Sequence, residues 1–317
     1  MRLIQKIKPW EAVLIIFLVI ILVLRKIAGM RILYLNELLA FILFIVLFYL
    51  VIIFPFLVTT FMLYKLKNIP HIGTVKYDTS LSKKLLTKSL SFLRAYLPFV
   101  ILFAIYQILG MGGDLIHMIN PYDKDEPLIA LDQKLFGFQA SVWAQRFINP
   151  WLTDILAFIY SLHVILPLIV AIVLYWNKKE NQFENYMLGI ILVNCIGMLL
   201  YFVVPASRPS YHLQYDRPLI GGHIYQEIIG IEDQFKPVTR DAFPSLHVGL
   251  STVVLLFAYK YSKRTFYLLL LPVLLLWFST IYLRRHYVID IVAGWMLAII
   301  CVYISPKINE WWLRTFR

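Results

Sequence analysis

Charge is scarce in this chain, and thiols are scarcer. Asp, Glu, Lys and Arg together supply only 15% of the 317 residues, against about 25% in an ordinary soluble domain, which excludes a conventional water-facing fold. The two cysteines, Cys195 and Cys301, both fall inside apolar runs, so neither a disulfide framework nor a thiolate zinc site is available. They read as packing residues. Internal repeats and low-complexity tracts are missing too, and the polar stretches are too short to fold as separate domains.

Hydrocarbon takes the place of charge. Hydrophobic residues make up 61% of the chain and the mean hydropathy is +0.75, the composition of an integral membrane protein. Crossing ~30 Å of hydrocarbon takes roughly 20 helical residues. Runs of that order lie at about Trp10 to Leu24, Leu38 to Tyr64, Arg94 to Met111, Trp151 to Trp176, Tyr186 to Val204, Ser245 to Tyr259, Phe266 to Tyr282 and Tyr287 to Ile304. They are helix-length rather than alternating ten-residue strands, which excludes an outer-membrane barrel. The expected fold is all-α, a polytopic membrane helical bundle of about eight transmembrane helices with a six-helix catalytic core. The first run is short and carries Glu11, but no small-residue cleavage site follows it, so it reads as an uncleaved anchor and not a signal peptide.

Lys and Arg orient the bundle, because short loops rich in them stay cytoplasmic. With eight spans, Arg2, Lys6 and Lys8, the Lys65 to Lys88 segment, Lys178 and Lys179, Lys260 to Arg264 and the tail with Lys307, Arg314 and Arg317 share one side. Both termini are then cytoplasmic. The connections from Gly112 to Pro150 and from Pro205 to Phe243 hold Asp114, Asp123, Asp125, Glu126, Glu227, Glu232 and Asp233, as suits the opposite face. Arg25, Lys26 and Arg31 break the pattern in the first hairpin. The net charge of +12 needs no nucleic acid, since cytoplasmic loops facing anionic headgroups account for it. The lack of long soluble extensions points to a bacterial plasma membrane. Two connections are more than plain loops: Lys65 to Lys88 suits the cytoplasmic leaflet surface, and Pro127 to Pro150 suits a re-entrant or interfacial helix on the outer side.

Chemistry gathers at the ends of the last three spans. His286 and Asp290 stand four residues apart at the start of a helix and so share one face. A carboxylate there accepts the proton of one ring nitrogen and leaves the other nitrogen's lone pair outward, as a nucleophile or base needs. An unpaired carboxylate inside an apolar helix is expensive, so a partner is expected for Asp290, and His286 is the obvious one. In "RDAFPSLHVG", Arg240 to Gly249, Pro244 is placed near the first helical position and Ser245 at its start. Backbone N–H groups there form an anion site, and His247 lies in that first turn. Arg208 sits on the Pro-punctuated strip "VVPASRPSYH". By this topology all three segments emerge on the extracytoplasmic face. His71, His117, His212 and His223 read as interfacial residues, while Arg284 and Arg285 divide evenly between headgroup anchoring and phosphate contact.

Pro244-Ser245-Leu246-His247 followed by His286-Tyr287-x-x-Asp290, with a Pro-rich strip after the preceding helix, resembles the type 2 phosphatidic acid phosphatase superfamily. More closely it resembles the branch containing inositol phosphorylceramide synthase, which Asp132 to Gly137 ("DQKLFG") and Tyr160 to His163 ("YSLH") followed by Pro167 also fit. The similarity covers roughly Phe92 to Tyr303. Residues 1–91 then form two N-terminal helices and a basic segment, 92–304 the catalytic core and 305–317 a cytoplasmic tail.

The resemblance implies a metal-independent, cofactor-free transfer in which His286 attacks phosphorus, Asp290 orients it and His247 protonates the leaving oxygen. Ser245, Arg208, Arg240, Arg284 and Arg285 would hold the phosphate oxygens. Two family cations are absent: Tyr201 stands where the phosphatase members have a Lys, and Thr280 where they have an Arg. A phosphodiester carries less charge than a monoester, so the loss favours headgroup transfer. The expected substrate is a membrane phospholipid or other lipid phosphoester and the acceptor a lipid hydroxyl. The alternatives are a lipid phosphate or prenyl pyrophosphate phosphatase with water as acceptor, and a non-catalytic lipid transporter. Donor headgroup and oligomeric state are not legible.

Overall fold

A computed structural model describes residues 7–30, 113–177, 179–230 and 240–316. The chain divides into two compact units, Met1–Met30 with Leu109–Arg317, and Arg31–Ile108; the described residues all belong to the first. The second and third apolar runs, the Lys65 to Lys88 segment and Arg31 lie outside the described residues, so the count of eight spans does too.

Among the described residues the architecture is helical, and the one β-bridge joins Ala206 to Asp241. In chain order the helices are α1 (Pro9–Ile27), α2 (Gly113–Ile119), α3 (Asp125–Phe136), α4 (Ala140–Ala144), α5 (Pro150–Ser161), α6 (Leu166–Trp176), α7 (Glu180–Val203), α8 (Leu246–Tyr261), α9 (Lys263–Tyr282) and α10 (Val288–Phe316), with single turns between some of them. The apolar runs explain why: backbone groups in hydrocarbon find partners only within a helix.

Helices α7, α9 and α10 are each long and apolar enough to cross a membrane, and α5 with its following turn forms with α6 an apolar pair bent by 43°, the shape of a broken span or a re-entrant loop. A 3-10 turn at Leu162–Val164 and Pro167 in the first turn of α6 cause that bend. The structure thus replaces the straight run read from Trp151 to Trp176 with a broken one. This chain is an integral membrane protein.

Helix α7 is buried on every side from Tyr186 to Val193, with Tyr186, Met187, Leu188, Ile190, Ile191 and Val193 all at 0% exposure. It is the central post of the unit, and α8 and α10 pack on it. Gly197 of α7 makes room for Leu246, whose Cδ2 would lie 2.4 Å from a Cβ there, and Leu246 directly precedes His247. At the other end Trp10 Nε1 donates to Glu184 Oε2 at 2.7 Å, Lys8 pairs with Glu184, and Trp312 Nε1 donates to the Ile7 carbonyl at 3.1 Å. The last helix differs from expectation: it runs past Ile304 to Phe316 with Pro306 inside it, so the segment read as a tail is helix.

The connection from Gly112 to Pro150 is also mostly helix. Its acidic residues do more than mark a face: Asp123 pairs with Arg240, while Asp125 and Asp132 bind backbone groups of later segments.

Candidate active site

The Pro-Ser-Leu-His segment builds its helix with an N-cap. Ser245 Oγ accepts the Val248 N–H at 3.4 Å, and Pro244 stands one residue ahead of that cap, just outside the helix rather than at its first position. Ser245 is fully buried, and its own N–H donates to the Asp290 carbonyl at 3.0 Å. The starts of α8 and α10 are therefore tied backbone to backbone. Gly294 permits it: a Cβ on that residue would fall 2.6 Å from the Ser245 carbonyl oxygen.

This tie brings the two histidines together. His286 Nε2 lies 3.4 Å from His247 Nδ1. His286 Nδ1 is 2.9 Å from the Ala242 carbonyl and 3.4 Å from Asp290 Oδ2. A carbonyl can only accept, so Nδ1 carries the proton, and the lone pair sits on Nε2, facing His247. The nearer orienting group is thus a backbone carbonyl, with Asp290 flanking it; Asp290 Oδ2 accepts the Tyr287 N–H at 2.8 Å. His286 and Asp290 are 5% and 0% exposed, so these bonds work in a dry setting where they are strong.

Ala242 is itself held in place. Its N–H donates to the Ala206 carbonyl at 2.9 Å beside the Ala206–Asp241 bridge. The Pro-rich strip after α7 therefore supports the backbone that orients His286.

His247 has aromatic company. Tyr160 stacks on it with ring centroids 4.4 Å apart, and His163 meets it edge-on at 4.2 Å. His163 Nδ1 in turn contacts the Tyr160 carbonyl at 2.9 Å. In the sequence the "YSLH" fragment carries only the family resemblance. It lines the second imidazole from the α5 side.

The five phosphate-binding candidates fare differently. Ser245 caps α8 beside the pair. Arg208 is buried two residues beyond Ala206, its guanidinium 5.7 Å from the Tyr211 ring. Arg240 is engaged with Asp123, Nε to Oδ1 at 2.6 Å, which ties the loop ahead of α8 to the one ahead of α3. Arg285 is buried. Arg284 lies over the Tyr215 ring at 3.7 Å and donates to the Arg217 carbonyl, and burial pulls its guanidinium below the ordinary value.

Arg284 also has φ of 59°, a left-handed conformation that favours glycine. It closes a Schellman turn: its N–H donates to the Ile281 carbonyl at 3.0 Å, and that of Arg285 to Thr280 at 2.9 Å. This turn reverses the chain from α9 into His286. Strained backbone of this kind recurs at functional sites.

The loop facing Arg284 is strapped down. Tyr215 OH meets Ser141 Oγ at 2.9 Å, the Arg217 N–H donates to Gln145 Oε1 at 3.1 Å, and Asp154 Oδ1 accepts from Gly222 and Tyr225 at 2.8 and 3.0 Å.

Two histidines thus stand at neighbouring helix starts, His286 held through Nδ1 and meeting His247 through Nε2. Residues 126–304 match the family model described as the PAP2 superfamily. The chain belongs to that superfamily. The phosphoinositol dihydroceramide synthase of Bacteroides thetaiotaomicron is 27% identical over 70% of this chain and 78% of its own length. The inositol phosphorylceramide synthase catalytic subunit of Schizosaccharomyces pombe is 28% identical over 59% of this chain and 48% of its own. The chain thus spans about half the length of that fungal relative. The crystal structure of Aquifex aeolicus LpxE aligns with a TM-score of 0.42 and 22% identity, covering 53% of this chain and 92% of that one.

Proposed function

We propose that this protein is a membrane lipid phosphotransferase that moves a phosphoryl headgroup from a phospholipid to a lipid hydroxyl through a phosphohistidine on His286. The observation that carries the reading is the His286 Nε2 lone pair facing His247, with Nδ1 held by Ala242 and Asp290.

In the first half-reaction His286 Nε2 attacks phosphorus, a P–N bond forms, and the P–O bond to the diacylglycerol-type leaving group breaks. His247 gives its proton to that oxygen. In the second half the acceptor hydroxyl passes its proton to His247, its oxygen attacks phosphorus, and the P–N bond breaks. Asp290 stabilises the positive charge that builds on His286. Arg208, Arg284, Arg285 and the start of α8 supply positive potential for the phosphate oxygens; Arg240 is the weakest of the set because Asp123 already neutralises it.

At 3.4 Å the two rings bond each other directly. An attacking nitrogen sits about 3–3.5 Å from phosphorus and an acid about 3 Å from the oxygen it protonates. Admitting a phosphate therefore parts the rings by roughly 2–3 Å.

The names of the relatives support a phosphoinositol donor and a ceramide-type acceptor, and the loss of the two family cations agrees with a diester donor. The orientation read from the basic loops supports an extracytoplasmic site with both termini cytoplasmic, and the short polar connections support a bacterial plasma membrane. The test is incubation of the purified protein with phosphate-labelled phosphoinositol lipid and a dihydroceramide, followed by mass spectrometry of the products. Label retained on protein in wild type and absent in His286→Ala supports the reading. Water-only products make it a lipid phosphodiester hydrolase, and undiminished labelling of His286→Ala removes His286 as nucleophile.

A further inference from the structure

Helix α10 starts at Val288 without a cap of its own. The residue ahead of it is Tyr287, whose hydroxyl reaches Asp125 rather than the first-turn N–H groups, and those groups need partners in a buried setting. The partners come from far away in the chain. Asp132 Oδ2 accepts the Val288 N–H at 2.9 Å, and Asp132 Oδ1 accepts the Ile289 N–H at 2.8 Å. Both carboxylate oxygens are spent on this one helix end, and Asp132 is 1% exposed.

We propose that Asp132 is a positioning residue for the reaction: by capping α10 from α3 with both carboxylate oxygens, it sets where His286 Nε2 stands relative to His247. The inference rests on the reading of His286 as the reacting group.

Four further contacts support it. Asp125, seven residues before Asp132 on the same helix, accepts the Ser207 N–H at 2.9 Å and the Tyr287 hydroxyl at 3.5 Å. The Lys124 N–H donates to the Pro205 carbonyl at 2.7 Å. His212 Nε2 lies 3.3 Å from Asp125 Oδ1. One amphipathic helix therefore clamps both the His286 segment and the strip that supports Ala242. A negative group at a helix start is also favoured by the dipole, which offsets part of the cost of burying Asp132.

The site depends on small distances. His286 is two residues ahead of Val288, so a helix start that frays or shifts moves the imidazole off the Ala242 carbonyl, and misplacement by about 1 Å costs roughly 100-fold in rate. Asp132 touches neither histidine in this structure; it acts through the backbone it holds.

The experiment uses the full chain in detergent or nanodiscs with Asp132→Ala and the isosteric Asp132→Asn, which keeps one accepting oxygen. Hydrogen exchange across 286–292 reads the helix start directly, and steady-state kinetics read its use. The expected result is faster exchange in both variants, a kcat about 100-fold lower for Asp132→Ala with KM unchanged within about twofold, and a smaller fall for Asp132→Asn. If Asp132→Ala fails to fold, Asp132→Asn decides alone. Unchanged exchange, or a raised KM at wild-type kcat, overturns the proposal. If exchange quickens as expected but wild type itself turns over no lipid, the cap stands and the reaction reading is what fails.

Discussion

Gly294 brings α10 so close to α8 that a Cβ on it would lie 2.6 Å from the Ser245 carbonyl oxygen and 3.2 Å from the Gly249 nitrogen. Both neighbours are backbone and cannot rotate away. Gly294→Ala is expected to force the two helix starts apart, destabilise the protein by about 1–3 kcal/mol as overpacking does, and lower turnover at least tenfold by separating His247 from His286. Gly249→Ala meets Val193 at 3.2 Å and the Gly294 carbonyl at 3.4 Å, so it is expected to be milder. Thermal unfolding and lipid turnover of the two variants check this ordering, and full activity in Gly294→Ala would contradict it.

His247 as proton donor predicts a dependence on the leaving group. His247→Gln should lower transfer from a natural lipid by about 100- to 10,000-fold. A synthetic donor whose leaving group needs no proton, such as a nitrophenyl phosphodiester, should recover most of that loss. Equal losses on both donors would assign His247 to binding instead.

The Arg284 turn separates backbone strain from side-chain contact. Glycine at this left-handed position relieves a cost of about 1–2 kcal/mol, yet it removes the guanidinium from the Tyr215 ring and the Arg217 carbonyl. Arg284→Gly is expected to unfold no more easily than wild type while hydrogen exchange in 213–219 quickens. Arg284→Lys keeps a charge but not the flat stack, and should show the quicker exchange without the relief.

Burial pushes the carboxyls of Asp125 and Asp132 above the ordinary Asp range. The folded protein thus binds these protons more tightly than the unfolded chain does. Their stabilising contribution is full below the ordinary carboxylate pKa and is lost as pH rises through the raised one. Melting temperature should accordingly drop over that window as pH rises. Asp125→Asn, which cannot titrate, should flatten part of the drop; a slope unchanged in this variant would remove Asp125 as a source. His212 lies close to Asp125 Oδ1, and His212→Gln separates its share.

The histidine pair was legible because its signal is local: a four-residue spacing puts His286 and Asp290 on one face, and a proline and a serine mark the start of the helix that carries His247. The long helices α7, α9 and α10 were legible for the same reason, since apolar length is written continuously along the chain. The Ala242 carbonyl was not, because a backbone acceptor can belong to any residue and leaves no trace in side-chain chemistry. Asp132 was visible as a residue and invisible as a cap, since the N–H groups it serves lie 156 and 157 positions away. Arg240 read as a phosphate ligand because nothing local shows that Asp123 reaches it.

The final helix holds 29 residues, about 43 Å at about 1.5 Å per residue, against about 30 Å of hydrocarbon. A rod longer than its solvent leans or protrudes, and thinner or thicker bilayers change by how much. Since the same rod begins two residues after His286, lipid chain length becomes a variable that reaches the imidazole, and reconstitution into bilayers of graded thickness is a way to turn it.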